Sequence, residues 1–196
     1  MDGIVGIYGP GDPELVNKTF LATGACQHRG KASTGLAVGT RKGIYIHKGL
    51  GRIADVIDYN VIRNFQDLEP MAAIGNIGYT KRKIAEKTNA EPLEIFPRTD
   101  AKLKVVLTMD GYLIKDDDLK AELEKEYILQ TDNKTEIVGA FLQKYLVESG
   151  ISFEAGHKLV DKLSGRATFA LMIAWAFLAC LLIALTKETH CHPFSE

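Results

Sequence analysis

The 196 residues carry 24 Lys and Arg against 25 Asp and Glu, a formal charge of −1, and 46% of them are hydrophobic. That is enough apolar chain for one domain with its own core, and it excludes the basic field of a nucleic-acid binder and an acidic tail. The first residues lack the basic and apolar regions of a secretory signal, and Cys26, Cys180 and Cys191 are too few for a disulfide framework, so the expected setting is a reducing cytoplasm.

In chain order, GIVGIYG (residues 3–9) reads as a buried strand. PELVNKTFLATGACQ then sets Leu15, Val16, Phe20 and Leu21 at helical spacing, with Pro13 suited to a first turn and Cys26 a small core residue. GLAVGT and GIYIHKG are short strands separated by a turn at Arg41-Lys42-Gly43, and AAIGNIGYT and LKVVLTMDGYLI are further strands. DDDLKAELEKEY is a helix with acids in its first turn, where they favour the helix dipole. KTEIVGAFLQKYLVES and SFEAGHKLVDKLS read as two amphipathic helices.

From Ala167 to Leu185 there are nineteen residues without a charge. The stretch is long enough to cross a bilayer as a helix, but two strands buried between layers give the same continuous apolar run. No Gly, Asn or Asp marks a turn between such strands. Strands at both ends, helices in blocks and hairpins rather than βαβ units point to an α+β domain with helix-covered sheets. Composition and periodicity name no reaction.

Six motifs do more. GIVGIYG is followed by QHRGKASTG (27–35), GNIGYT (75–80), NAEP (89–92), MDGYL (109–113) and TDNKTEIV (131–138). In order and spacing they resemble the glutamine-hydrolysing domain of class II glutamine amidotransferases, nearest to that of amidophosphoribosyltransferases, over residues 1–175. The resemblance implies an N-terminal-nucleophile hydrolase fold, a four-layer αββα sandwich of two antiparallel sheets between helix layers. Residues 176–196 are then the end of the domain or an atypical tail, and the phosphoribosyltransferase domain has no counterpart here. SGRATFALMIA fits a family strand, so residues 167–185 are expected to be buried strands packed on GIVGIYG, with a membrane helix the lesser reading.

In the family a cysteine exposed as the first residue attacks the glutamine amide, with its α-amine as base. An Asn side chain and a Gly N–H stabilise the oxyanion, an Arg binds the substrate carboxylate and an Asp its ammonium. Carried over residue by residue, Asp2 stands at the position of the nucleophile. Gly78 stands where the carboxylate-binding Arg would be, Asp110-Gly111 replaces the oxyanion Asn-Gly, and Lys134 replaces the ammonium-binding Asp. His28, Arg29, Gly30, Ser33, Gly35 and Tyr79 keep the scaffold.

The expectation is therefore a domain that has lost its nucleophile and serves as a binding or regulatory unit, with Asp2, Asp110 and Lys134 converging in an ion-pair cluster. The alternatives are altered chemistry in the same pocket, or an amidotransferase inactivated by substitution at position 2. Lys81-Arg82-Lys83 lies where the family has a glutamine-site loop. His190-Cys191-His192 invites a metal, but three adjacent residues cannot all face one ion on a regular element. No metal and no cofactor is expected, and the expected partner is a second copy or a separately encoded subunit.

Overall fold

The computed structural model describes residues 2–79, 87–98, 103–114, 116–131, 133–163, 165–175 and 178–188. The elements are β1 (Gly3–Tyr8), α1 (Leu15–Ala25), β2 (Ser33–Thr40), β3 (Gly43–Leu50), α2 (Ile53–Val56), α3 (Tyr59–Gln66) and β4 (Ala72–Gly78). They continue with β5 (Leu93–Glu94), β6 (Leu103–Leu113), α4 (Asp116–Leu123), α5 (Lys134–Ser149), α6 (Phe153–Lys162), β7 (Gly165–Trp175) and β8 (Leu178–Glu188). The strands form two four-stranded sheets, β1-β4-β2-β3 and β5-β6-β7-β8. All their pairings are antiparallel, as the hairpin reading required.

Strand alternation sorts the apolar side chains into three layers. On the outer face of the first sheet, Leu36, Val38, Ala73 and Ile77 meet Leu15 and Val16 of α1 and Phe65 of α3. Between the sheets, Ala37, Ile74 and Ala72 face Val106, Ala170 and Met172. On the outer face of the second sheet, Val105, Leu107, Leu171 and Ile173 pack on Val138, Phe141 and Leu142 of α5 and Leu159 of α6. Consecutive residues of β2, β4 and β6 thus go to different cores, which is why these strands read as continuous apolar runs. The result is the four-layer αββα sandwich.

Residues 167–175 and 178–185 lie in two strands. β7 and β8 pair from Arg166↔Glu188 to Trp175↔Leu178, with a register shift between Ile173 and Trp175. β1 lies against both of them. Among the described residues no helix is long and apolar enough to cross a membrane.

Two helix readings need correction. Leu21 does not face the core but is 68% exposed, and Thr19 and Thr23 are buried beside Leu15 and Val16. The helix starts at Leu15, so Pro13 precedes it. Polar residues serve on this face because α1 runs close over Gly75 of β4, where any Cβ would strike the Thr23 hydroxyl. The Thr19 hydroxyl is satisfied by the Leu15 carbonyl at 2.8 Å. The second correction concerns α5, whose residues Thr135 to Gln143 are all buried. It is enclosed by the second sheet, α4 and α6, so no solvent-facing stripe survives in its first half.

At Gly35 of β2 an added Cβ would strike the Glu91 carbonyl and stand 2.8 Å from Pro92 Cδ and 2.9 Å from Lys48 Cβ. Main chain cannot swing aside as a side chain can. Gly35→Ala is expected to lower unfolding free energy by about 1–3 kcal/mol in urea titration, whereas Gly11→Ala, with nothing near its Cβ, costs only the strain of its positive φ.

Candidate functional site

The space between the sheets is apolar over most of its length and turns polar at one end. The face of β2 that carries Ala37 carries Ser33, and the face of β4 that carries Ile74 carries Asn76 and Gly78. On β6 the side that presents Val106 presents Thr108 and Asp110. Asp2 precedes β1 at this same end, since Gly3 pairs with Ile77.

Residue 2 is tied down there through three of its polar groups. Its N–H donates to Asp110 Oδ1 at 2.8 Å, and its carbonyl accepts from Arg29 Nε at 2.6 Å. Its carboxylate Oδ1 accepts from the Tyr79 N–H at 2.7 Å. Arg29 completes the arrangement by donating from Nη2 to Asp110 Oδ2 at 2.7 Å. Both oxygens of Asp110 are therefore engaged, and its charge is balanced by Arg29 across the gap between the sheets. Burial pushes the Asp2 carboxyl up to about 7, against the opposing pull of the Tyr79 N–H, and the charge of Glu91 raises it further.

Gly78 ends β4 in a crowded corner. An added Cβ there would strike the Ser33 hydroxyl, and a Cβ on Gly30 would stand 2.5 Å from the Gly78 carbonyl oxygen. Tyr79 is half exposed beside this corner, and Gly111, exposed on β6, pairs across from Ala167. Asp2, Arg29, Gly78, Tyr79 and Asp110 thus come together, with Gly111 adjoining. Lys134 starts α5 on the outer side of the second sheet, and its ammonium donates to the Leu113 carbonyl at 3.2 Å. Lys81-Arg82-Lys83 and His190-Cys191-His192 lie outside the described residues. Cys26 is partly buried against the outer core of the first sheet, as expected of a small core residue.

The residue missed in the sequence is Glu91. It is 4% exposed and collects donors from three directions: Thr108 Oγ1 at 2.6 Å and Met109 N at 2.7 Å from β6, and Thr135 Oγ1 at 2.5 Å and Asn133 Nδ2 at 2.9 Å from the start of α5. The third is Asn76 Nδ2 of β4, at 3.5 Å. Lys48 reaches the same loop through the Ala90 and Pro92 carbonyls, at 2.6 and 3.3 Å. Burial raises the Glu91 carboxyl and lowers the Lys48 ammonium. The motif NAEP marked the place, but nothing in it says that five donors converge there. Among the described residues no group of three His, Cys, Asp or Glu is arranged to hold a metal ion.

Removing the Glu91 carboxylate strands buried donors on both β6 and α5, so Glu91→Ala is expected to cost about 3 kcal/mol or more in chemical denaturation. Asp2 gives a pH signature. Its folded-state value lies above the unfolded one, about 7 against 3.8. The associated stability is present below the unfolded value and is lost as pH rises through the folded one. Asp2→Asn removes this dependence and can still accept from Tyr79. The variant's melting temperature is therefore expected to gain on that of the unaltered protein between pH 4 and pH 8, and a constant difference would refute the burial argument.

No family model matches the chain. Amidophosphoribosyltransferase of Archaeoglobus fulgidus is 29% identical over 175 residues, covering 88% of this chain and 36% of that protein. Glutamine–fructose-6-phosphate aminotransferase of Bacillus subtilis is 31% identical over 178 residues, covering 87% and 27%. The chain thus spans about a third or less of the length of the curated relatives it matches. Among solved structures, an allosteric regulatory enzyme of purine biosynthesis superposes with a TM-score of 0.71 at 24% identity, over 88% of this chain and 35% of that one. A glutamine phosphoribosylpyrophosphate amidotransferase from B. subtilis gives 0.64 at 23%, over 90% and 35%. These two structures establish the fold, and the sequence relatives establish the lineage. The chain is a homologue of the class II glutamine amidotransferases, with the N-terminal-nucleophile hydrolase fold of their glutaminase domain.

Proposed function

We propose that this domain no longer hydrolyses glutamine and serves as a non-catalytic binding or regulatory unit. One observation carries the reading: residue 2 is an aspartate whose N–H and carbonyl are both held inside the protein, by Asp110 and Arg29. A carboxylate is a far weaker nucleophile towards an amide than a thiolate. The next requirement, donors aimed at a developing oxyanion, meets the carboxylate of Asp110 instead. The carboxylate-binding arginine of the resemblance is Gly78, and the Ser33 hydroxyl lies where a side chain at 78 would begin. Losing the nucleophile alone costs on the order of 10⁶ in rate by analogy with other nucleophile deletions.

The likeness to amidophosphoribosyltransferases supports a role connected with purine synthesis, and the free Cys26 is in keeping with a cytoplasmic setting. Of the two readings of residues 176–196, the pairing of β8 along β7 supports the end of the same domain over an atypical tail. A second copy or a separately encoded subunit is the proposed partner. A second reading, acid–base chemistry at Asp2, is favoured by a carboxyl that titrates near neutrality.

Purified protein is expected to release no ammonia from glutamine above background, and Asp2→Cys is expected to stay at background. Release that Asp2→Ala abolishes would sink the non-catalytic reading. Recovery in Asp2→Cys would mark an amidotransferase disabled at one position.

A further inference from the structure

We infer that β1 is the docking edge for a second copy of this chain, which pairs with it antiparallel about a two-fold axis at Gly6 and makes one continuous sheet of the two first sheets. The inference deepens the proposal of a second copy as partner and rests on it. Hydrogen-bond alternation decides which groups β1 has to offer. The Gly9 N–H donates to the Met71 carbonyl at 2.9 Å. In the register Gly3↔Ile77 to Tyr8↔Ala72, the N–H and C=O of Gly3, Val5 and Ile7 therefore turn to β4. Those of Ile4, Gly6 and Tyr8 turn the other way, and β1 is the last strand of its sheet. At the start of this edge the N–H and carbonyl of Asp2 are taken by Asp110 and Arg29. From Ile4 to Tyr8 no strand among the described residues pairs with it.

The side chains of this edge are uncovered as well. Ile4, Gly6 and Tyr8 stand opposite Asn76, Ile74 and Ala72, on the face that β4 turns to the second sheet. Ile74 and Ala72 are fully buried there, whereas Gly6 is exposed and Tyr8 is 56% exposed. The second sheet closes over β4 and leaves part of β1 open. Edge strands are commonly guarded by charge, proline, shortness or a covering loop. β3, across the same sheet, has Lys48 and the loop it holds through the Ala90 and Pro92 carbonyls. β5 is two residues long, and β8 ends in Lys187 and Glu188. Gly3 to Tyr8 carries neither charge nor proline.

Self-complementarity selects the occupant. An antiparallel copy centred on Gly6 places Gly6 opposite Gly6, and Ile4 opposite Tyr8 on both sides of the axis. In this register every outward N–H and C=O from Ile4 to Tyr8 meets a partner. Two aromatic–β-branched cross-strand pairs form, of the kind that stabilises antiparallel ladders. No side chain stands at the axis, and no like charges are set opposite each other, because the strand has none.

The test measures the mass of the whole chain in solution by light scattering over a range of concentrations. A dimer is expected. Tyr8→Lys puts a charge on the edge without entering the buried layers. It is expected to raise the dimer dissociation constant roughly tenfold or more, while the melting temperature of the dilute protein holds. The register has its own readout. Cα atoms of a hydrogen-bonded cross-strand pair lie about 5.5 Å apart, within reach of a disulfide. Mild oxidation of an equimolar mixture of the Ile4→Cys and Tyr8→Cys variants is expected to give a cross-linked dimer that neither variant forms alone. A dimer that Tyr8→Lys leaves intact, or a mixture that links no better than the single variants, would overturn the inference and leave the second copy standing as partner. A monomer at every concentration would overturn both. None of these results bears on ammonia release from glutamine, so the docking edge and the non-catalytic reading fail separately.

Discussion

A carboxylate buried without a hydrogen-bonded shell is among the more costly things a fold can contain. Glu91 escapes that cost because its shell is drawn from everywhere at once: β4 and β6, which belong to different sheets, and the cap of α5. The cost therefore acts as a constraint on assembly. Unless the two sheets and α5 are mutually in register, the carboxylate lacks its donors. Lys48 holds the loop from the other side by two main-chain carbonyls, and Gly35 lets that loop lie directly on β2. Position 91 is thus a joint between layers whose apolar contacts alone would tolerate sliding.

The second polar cluster works differently. Asp110, Arg29 and Asp2 are partly exposed at the end of the inter-sheet space, and Arg29–Asp110 is an ion pair in partial contact with water. Such a pair adds little to stability. Its importance is positional: it fixes the main chain of residue 2 at the point where the family chemistry would begin. One cluster maintains the sandwich, and the other occupies the polar end of the inter-sheet space. The first belongs to the scaffold and the second to the site, and a fold can carry different sites on one scaffold.

The strands were legible because their apolar runs are bounded by turn residues, and even the uncharged stretch at 167–185 followed once the resemblance placed it in the inner layers. The motif order gave the fold before any geometry. Leu21 misled because spacing alone cannot tell which side of a helix meets a sheet, and the choice was made by Gly75, fifty-odd residues away. In α5 the apolar residues circle the helix because it is covered on several sides, so no stripe existed to be read. Glu91 was hidden for a more general reason. Its partners are residues 76, 108, 109, 133 and 135, and no local spacing links them. The pairing of Arg29 with Asp110, 81 positions apart, was equally out of reach.

The close approaches at Gly30 and Gly35 have an evolutionary corollary. At both positions a single methyl group would meet main-chain atoms, so a substitution there costs stability whatever the protein is for. Stability alone is then enough to hold Gly30 and Gly35, both of which lie within QHRGKASTG (27–35), in a chain of this fold.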